Sequence, residues 1–181
     1  MRTYPIDALL PQLCELLVDG ATVLLQAPPG AGKTTRVPLA LINRLGTKHD
    51  SPPFQGRIWI VEPRRLAARA AAKRLAESLD QPVGQLIGYS IRGEQLRSES
   101  TQVEIMTDGL FLRRLQADPS LDGVGCVVFD EFHERRRDAE LSLTLLREAR
   151  SELRPDLCLL LMSATLDLSD LKPRLPEAIV L

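Results

Sequence analysis

Cysteine is scarce in this chain: Cys14, Cys126 and Cys158 are its only three, and they lie far apart among apolar neighbours. This spacing suggests neither a disulfide framework nor a zinc site, so we expect all three to fill the core. No apolar run approaches the roughly 20 residues that a membrane-spanning helix needs. Asp7 and Glu15 interrupt the N-terminal apolar pattern, which excludes a secretory signal. We therefore expect a cytoplasmic protein with no membrane partner.

A large excess of charge of either sign is also missing. The 181 residues include 23 Lys and Arg and 24 Asp and Glu, for a net charge of −1. Because the chain is not basic overall, any surface that binds nucleic acid has to be local. The length fits one domain, and we predict a single domain over residues 1–181.

The sequence does contain an alternation of strand and helix patterns. Helical spacing and strong helix formers predict helices at 5–19, 33–45, 64–79, 108–118 and 138–153, and Gly20 is expected to end the first. Composition predicts a loop over 46–56. Short apolar runs predict strands at 22–27, 57–62, 103–107, 124–130, 157–164 and 178–181, with Trp59 in the core. Because the strands are apolar on both faces, we predict an α/β fold with a mostly parallel sheet covered by helices on both faces.

Polar residues collect directly after five of the predicted strands. In a parallel sheet the carboxyl ends of the strands share one edge, and ligands bind there. We therefore expect one functional edge built from residues 27–34, 62–65, 107–109, 130–133 and 163–165.

The stretch "APPGAGKTT" at 27–35 matches the phosphate-binding loop G-x-x-x-x-G-K-[ST], except that Ala27 stands at the first glycine. Gly30 and Gly32 let the backbone curl so that successive N–H groups point at phosphate oxygens. Lys33 would reach the β- and γ-phosphates, and the Thr34 hydroxyl would bind Mg²⁺. The alternative is a glycine-rich turn without a ligand, which the position between a buried strand and a helix disfavours.

Two adjacent carboxylates, Asp130 and Glu131, end the apolar run at 124–130. An acidic pair in isolation is most often a solvated strand exit. Beside a phosphate-binding loop, however, Asp130 can anchor the Mg²⁺ held by Thr34. Glu131 can orient and deprotonate the attacking water. The candidate Mg²⁺ ligands are therefore Thr34, Asp130 and Glu131.

Together these stretches resemble the DEAH-box RNA helicases of superfamily two. Residues 130–133 are similar to the box that names the family, with Phe132 in place of alanine. Five further stretches resemble family motifs in the family's order, at 27–35, 62–76, 88–94, 107–115 and 163–167. The variant box, Ala27 and the helix before the loop are most similar to the bacterial HrpB-type helicases. The resemblance implies a RecA-like domain that binds ATP and Mg²⁺.

The chain also departs from the family pattern. Arg136 and Arg137 follow Arg135 where relatives usually have a small or apolar pair, and Glu62 stands where many have glutamine. These departures leave the predicted chemistry intact and change the local surface.

The resemblance implies a role for each matching position. His133 would bridge the nucleotide site to Ser163 and Thr165, which would relay the nucleotide state. Arg64, Arg92 and Thr107 would contact the backbone of single-stranded RNA or DNA. The nucleotide-binding residues would be Ala27, Pro28, Pro29, Gly30, Ala31, Gly32, Lys33, Thr34 and Thr35, with Arg74 against the adenine.

In this family the nucleotide lies between two RecA-like domains, and the second supplies catalytic arginines. We predict that this chain is the first of the two domains and is nearly inactive without the second. Arg135, Arg136 and Arg137 are expected to begin a helix that points away, so they would not replace the missing arginine.

Two other functions compete with an RNA helicase. A different phosphate-loop ATPase, such as a transport or remodelling motor, would require the matches at 63–65, 107–109 and 163–165 to be coincidental. A non-enzymatic, nucleotide-gated binding module would not need to keep Lys33, Asp130 and Glu131 together. RNA-stimulated hydrolysis by a longer protein would exclude the transport or remodelling ATPase.

Overall fold

The strands and helices predicted from apolar runs are present in the computed structural model, which describes residues 3–18, 20–42, 54–134 and 136–181. Its strands are β1 (Thr22–Gln26), β2 (Arg57–Glu62), β3 (Ile87–Ile91), β4 (Glu94–Leu96), β5 (Val103–Thr107), β6 (Val124–Phe129), β7 (Cys158–Ser163) and β8 (Ile179–Val180). Its α-helices are α1 (Leu10–Leu16), α2 (Lys33–Leu41), α3 (Arg65–Glu77), α4 (Asp108–Ala117), α5 (Arg137–Glu152) and α6 (Leu168–Arg174). Single 3₁₀ turns form at Pro5–Ala8 and Phe132–Glu134.

The strands form one sheet in the order β4-β3-β5-β2-β6-β7-β1-β8. Every neighbouring pair is parallel except β3 and β4, which form an antiparallel hairpin. The carboxyl ends of β1, β2, β5, β6 and β7 therefore share one edge, as the sequence predicts.

Each face of the sheet carries its own apolar core. One core packs side chains of β1 and β2, such as Val23 and Ile58, against α1, α2 and α3. The other packs Leu24 and Phe129 against α4, α5 and α6. Cys14, Cys126 and Cys158 are buried in the first core as free thiols. The prediction of helices on both faces of a mostly parallel sheet is confirmed.

Several predicted element bounds need correction. The helix predicted at 5–19 is two pieces, the turn Pro5–Ala8 and α1, because Pro11 has no N–H to continue a helix from the preceding turn. Gly20 follows with a left-handed φ of 77°. The helix predicted at 33–45 ends at Leu41, and residues 43–53, which include most of the loop predicted at 46–56, lie outside the described residues.

The sequence patterns also missed elements. The β3–β4 hairpin lies within 87–96, where polar residues and Gly93 leave no long apolar run. The short helix α6, which contains Pro173, was not predicted either. Trp59 is only partly buried and packs against the second core.

Among the residues that the structure describes, no helix has the length and apolar character to cross a membrane.

Candidate functional site

The loop at 27–32 curls between β1 and α2 at the shared edge. Gly30 and Gly32 both have left-handed backbones, with φ of 76° and 97°. The left-handed φ favours glycine at position 32, and a Cβ there would lie 3.0 Å from the Tyr4 ring, which would have to shift slightly. The N-terminal segment supports the loop, because the Ile6 N–H donates to Ala31 O at 3.1 Å. The loop thus has the backbone shape of a phosphate-binding loop.

Lys33 is held inside this loop. Its side chain is 4% exposed, and Nζ donates to Ala27 O at 2.6 Å and to Pro28 O at 3.2 Å. In the first turn of α2, the Thr35 hydroxyl donates to Gly32 O at 3.2 Å. A cation is therefore present in the loop where phosphate oxygens would be bound.

Thr34 joins the loop to the acidic pair. Its hydroxyl donates to Asp130 Oδ2 at 2.5 Å, and Asp130 Oδ1 accepts from the Glu131 N–H at 2.9 Å. Asp130 is 3% exposed. Burial raises the pKa of Asp130 to about 6, against the lowering effect of the Thr34 hydrogen bond. A cation beside Asp130 would therefore stabilise the ionised form of this buried carboxylate.

The oxygen ligands at this point fit Mg²⁺. The described residues hold no group of three or more His, Cys, Asp or Glu side chains that could bind a metal. Mg²⁺ in nucleotide sites commonly uses one or two protein carboxylates and completes its shell with phosphates and water. A hydroxyl and one carboxylate match that pattern.

Glu131 has a left-handed backbone with φ of 50°, uncommon for a residue with a side chain. Its Oε2 lies 3.3 Å from His133 Nδ1, and that nitrogen lies 3.1 Å from Ser163 Oγ. Ser163 Oγ in turn donates to Thr165 O at 2.5 Å. The structure thus brings Glu131, His133, Ser163 and Thr165 into one chain of contacts.

The residues predicted to contact nucleic acid lie along the same edge. Arg64 and Thr107 occupy the N-cap positions of α3 and α4. Arg65 donates through Nη2 to Arg92 O at 3.0 Å. A cleft of about 550 Å³ opens here, and its lining includes Arg65, Arg92, Arg113 and Arg136 together with Asp108 and Asp138. Because the four arginines outnumber the two aspartates, this cleft is called here the basic cleft.

The β3–β4 hairpin that carries Arg92 is fixed to α3. Glu94 accepts hydrogen bonds from both Tyr89 and Arg69. Together with the Arg65 contact, these bonds hold the hairpin tip beside the cleft.

Arg74 stands apart from the other predicted nucleotide-binding residues. It is exposed in the last turn of α3. Within the described part of the chain, no hydrogen bond or ion pair joins its side chain to the loop at 27–32. Its position beside the adenine stays a prediction.

One expectation about the arginines after the box needs correction. α5 does begin at Arg137, but Arg136 does not point away from the edge. Its Nε lies 2.8 Å from Asp108 Oδ2 in the first turn of α4. Arg135 lies outside the described residues.

Two carboxylates at the edge, Glu134 and Asp138, were missed, and Glu62 was noted only as a departure from the family pattern. Glu62 is buried at the end of β2, and burial, followed by the charge of Asp130, raises its pKa to about 8. Glu134 Oε1 pairs with Arg64 Nη2 at 2.8 Å, across 70 residues of sequence. Asp138 lies against Gly109, where a Cβ would be 3.0 Å from its Oδ2. No local sequence pattern could have shown the last two contacts, because they depend on tertiary structure.

Comparisons with known proteins agree with this geometry. Residues 10–173 match the DEAD/DEAH box helicase family. The chain is 46% identical over 178 residues to the ATP-dependent RNA helicase HrpB of Escherichia coli. It is 33% identical over 166 residues to the ATP-dependent RNA helicase HrpA homolog of Haemophilus influenzae. These matches cover 98% and 92% of this chain but 21% and 12% of the relatives, so the chain spans about a fifth or less of their length.

Two crystal structures of E. coli HrpB, one described as a DEAH/RHA helicase and the other as a DExH-box NTPase, have similar folds. Their TM-scores are 0.89 and 0.88 at 47% and 45% identity. The matches cover 98% and 100% of this chain and 22% of each solved chain. The predicted RecA-like α/β fold is confirmed. With a family match across most of its length, this chain belongs to the DEAD/DEAH box helicases.

Proposed function

We propose that this domain is the nucleotide-binding half of a DEAH-type, ATP-dependent RNA helicase. The hydrogen bond between Thr34 and Asp130 carries the proposal. It brings the hydroxyl that follows the loop lysine next to the first carboxylate of the box. Two oxygen ligands from separate motifs then meet beside a loop shaped for phosphates.

ATP would be held mainly through its phosphates. The backbone N–H groups of residues 27–34 and the Lys33 ammonium would bind phosphate oxygens, with Thr35 near the α-phosphate. Arg74 would lie against the adenine. Thr34 and Asp130 would hold Mg²⁺, with Glu131 as a further candidate ligand; the ion supplies charge neutralisation to the β- and γ-phosphates.

Glu131 would act on the attacking water as a general base. A carboxylate serves in this role when it reaches the water by a hydrogen bond. The contact with His133 supports the proposal, because a second group limits the orientations of the carboxylate. His133 would then link the state of the nucleotide to Ser163 and Thr165.

The basic cleft would bind one strand by its backbone. Arg64, Arg92 and Thr107 lie at or beside helix N-termini and the hairpin tip, where N–H groups and guanidinium groups can meet phosphates. Such contacts carry no base information, so binding should tolerate many sequences and weaken with salt. The names of the relatives favour RNA over DNA.

Hydrolysis would need a second RecA-like domain. The transition state spreads charge over the γ-phosphoryl oxygens, and an arginine finger contributes a factor of roughly 10³ to 10⁵ in rate. We propose that this arginine comes from another part of a longer protein. The short share of the relatives that this chain spans is consistent with that arrangement.

Phosphate release tests the proposal. We would measure it for the 181-residue chain and for a longer protein that contains this domain, each with and without single-stranded RNA or DNA. Two variants of the longer protein would be measured as well: Glu131→Gln, and Glu148→Gln on the exposed surface of α5 as the matched control. We expect a near-background rate for the chain, an RNA-stimulated rate for the longer protein, and nucleotide binding without turnover for Glu131→Gln. Robust turnover by the chain alone would contradict the two-domain proposal.

A further inference from the structure

The segment that follows the acidic pair contacts the basic edge at three points. Glu134 Oε1 pairs with Arg64 Nη2 at 2.8 Å. Arg136 Nε lies 2.8 Å from Asp108 Oδ2, and Asp138 Oδ2 lies against Gly109. Glu134, Arg136 and Asp138, called here the acidic segment, therefore lie over the N-terminal ends of both α3 and α4.

The two carboxylates of the acidic segment occupy positions that suit phosphates. Arg64 is the guanidinium predicted to contact a strand, and its side chain is 69% exposed, whereas the Glu134 side chain that pairs with it is 24% exposed. Guanidinium groups bind carboxylate and phosphate with the same fork of N–H donors. Glu134 and a strand phosphate are therefore alternative partners for one side chain.

Asp138 repeats this arrangement at α4. Its carboxylate lies against the first turn of the helix, next to Thr107 and Asp108. Unpaired N–H groups and the helix dipole favour an anion at such a position. Asp138 is exposed, in the first turn of α5, so a competing anion can reach the same place from solvent.

Arg136 holds the acidic segment between these two points. Its partner Asp108 is buried, and the pair joins the start of α5 to the start of α4. The backbone of the segment is also tied to the box, because the Glu134 N–H donates to Glu131 O at 3.0 Å. Glu134 therefore contacts Arg64 through its side chain and the box through its backbone.

We propose that Glu134 and Asp138 act as internal substitutes for strand phosphates, so that single-stranded nucleic acid must displace both carboxylates to occupy the edge. The proposal rests on the proposed function, since it assumes that Arg64 and the start of α4 bind the strand backbone. The acidic segment thus lowers the affinity of the edge for polyanions and links strand entry to the residues beside Glu131.

Fluorescence polarisation with a short, fluorescein-labelled oligouridine tests the proposal. The variants of the 181-residue chain are Glu134→Gln, Asp138→Asn, their combination, Arg64→Ala and Glu148→Gln. The last removes the same charge from the far end of α5 and serves as the matched control. Glu134→Gln and Asp138→Asn each remove one competing carboxylate, and each should tighten binding by roughly twofold to fivefold. The double variant should bind more tightly than either single one. Glu148→Gln should bind like the wild type, and Arg64→Ala more weakly.

The outcomes separate the two proposals. If the wild type binds and Arg64→Ala weakens binding, the strand site stands; unchanged or weaker affinity in both Glu134→Gln and Asp138→Asn would then overturn the competition. Equal tightening by Glu148→Gln would also overturn it, because the effect would be one of net charge. If neither the wild type nor any variant binds oligouridine at low salt, the proposed strand site itself is wrong. Two independent carboxylate variants keep the test usable if one of them fails to fold.

Discussion

Thr34 and Asp130 are hydrogen bonded at 2.5 Å although 96 residues separate them in the chain. In the sheet, β1 and β6 are not neighbours, because β7 lies between them. The Thr34 hydroxyl therefore reaches past the carboxyl end of β7 to the Asp130 carboxylate, which follows β6. This contact makes the loop and the acidic box one site.

Lys33→Ala should remove most nucleotide binding by the 181-residue chain. The buried ammonium is the charged group within the loop, so its loss leaves the phosphates without their main cationic partner. A loss of at least tenfold in affinity for Mg-ADP is expected, since hydrogen bonds to charged groups are each worth about 1.5–3 kcal/mol. Isothermal titration calorimetry would measure it, with Lys73→Ala on the exposed face of α3 as control. Equal affinity in both variants would rule out the phosphate-loop assignment.

Mg²⁺-dependent nucleotide binding should weaken as the pH falls below about 6. The pKa of Asp130 is raised to about 6 by burial, so the carboxylate is protonated below that pH and loses its value as a metal ligand. We would titrate Mg-ADP from pH 5 to pH 8 in the wild type and in Asp130→Asn. The variant should bind weakly at every pH and keep only the titration of the nucleotide phosphates. A wild-type curve of the same shape as the variant's would contradict the role of Asp130.

Glu62→Gln should stabilise the ligand-free domain at pH 8 and have less effect at pH 5. Burial, followed by the charge of Asp130, raises the pKa of Glu62 from 4.5 to about 8. The folded state therefore binds the Glu62 proton more tightly than the unfolded state does. The folding free energy that this proton contributes is fully present below pH 4.5 and is lost as the pH rises through 8. The gap between variant and wild type should grow from about 1 kcal/mol at pH 5 to about 4 kcal/mol at pH 8.

Urea unfolding at both pH values would measure this gap. Glu77→Gln, an exposed position on α3, is the control and should show no such pH dependence. A gap that stays constant from pH 5 to pH 8 would mean that Glu62 titrates normally.

Arg150→Met should destabilise the domain by about 2–4 kcal/mol. The guanidinium is buried in α5 and donates to Leu157 O, Thr22 Oγ1 and Gly20 O at 2.7–2.8 Å. Methionine fills similar space but leaves these acceptors without a donor. Urea unfolding would measure the loss, and Arg147→Met on the same helix should change stability by no more than about 0.5 kcal/mol. Similar values for the two variants would show that water replaces the guanidinium.

The sequence was most informative where chemistry is local. Apolar runs predict β1, β2, β5, β6 and β7, and the order of strands and helices predicts their parallel pairing. Strand ends then place Lys33, Thr34 and Asp130 at one edge. These predictions need only the neighbouring residues in the sequence and the known geometry of parallel sheets.

The remaining features depend on residues far apart in the chain. β3 pairs with β5 and buries Ile87, Tyr89 and Ile91 in the first core, and Arg69 of α3 donates to Glu94 of β4. The pairing of Arg64 with Glu134 arises only after β2 and β6 become neighbours in the sheet. The acidic segment over the basic edge could not be predicted from either stretch alone.

Phe132, which stands where related boxes have alanine, begins a series of edge-to-face ring contacts. The ring centroids of Phe132 and Phe129 are 5.7 Å apart. Those of Phe129 and Phe111 are 5.6 Å apart, and those of Phe111 and Trp59 are 6.3 Å apart. Trp59 is the single tryptophan of the chain, and the Arg114 guanidinium lies 5.0 Å from its ring centroid. Indole emission responds to nearby charge and to ring packing. We therefore expect the emission of Trp59 to report changes in the packing of these rings, which extend to the backbone beside Asp130 and Glu131.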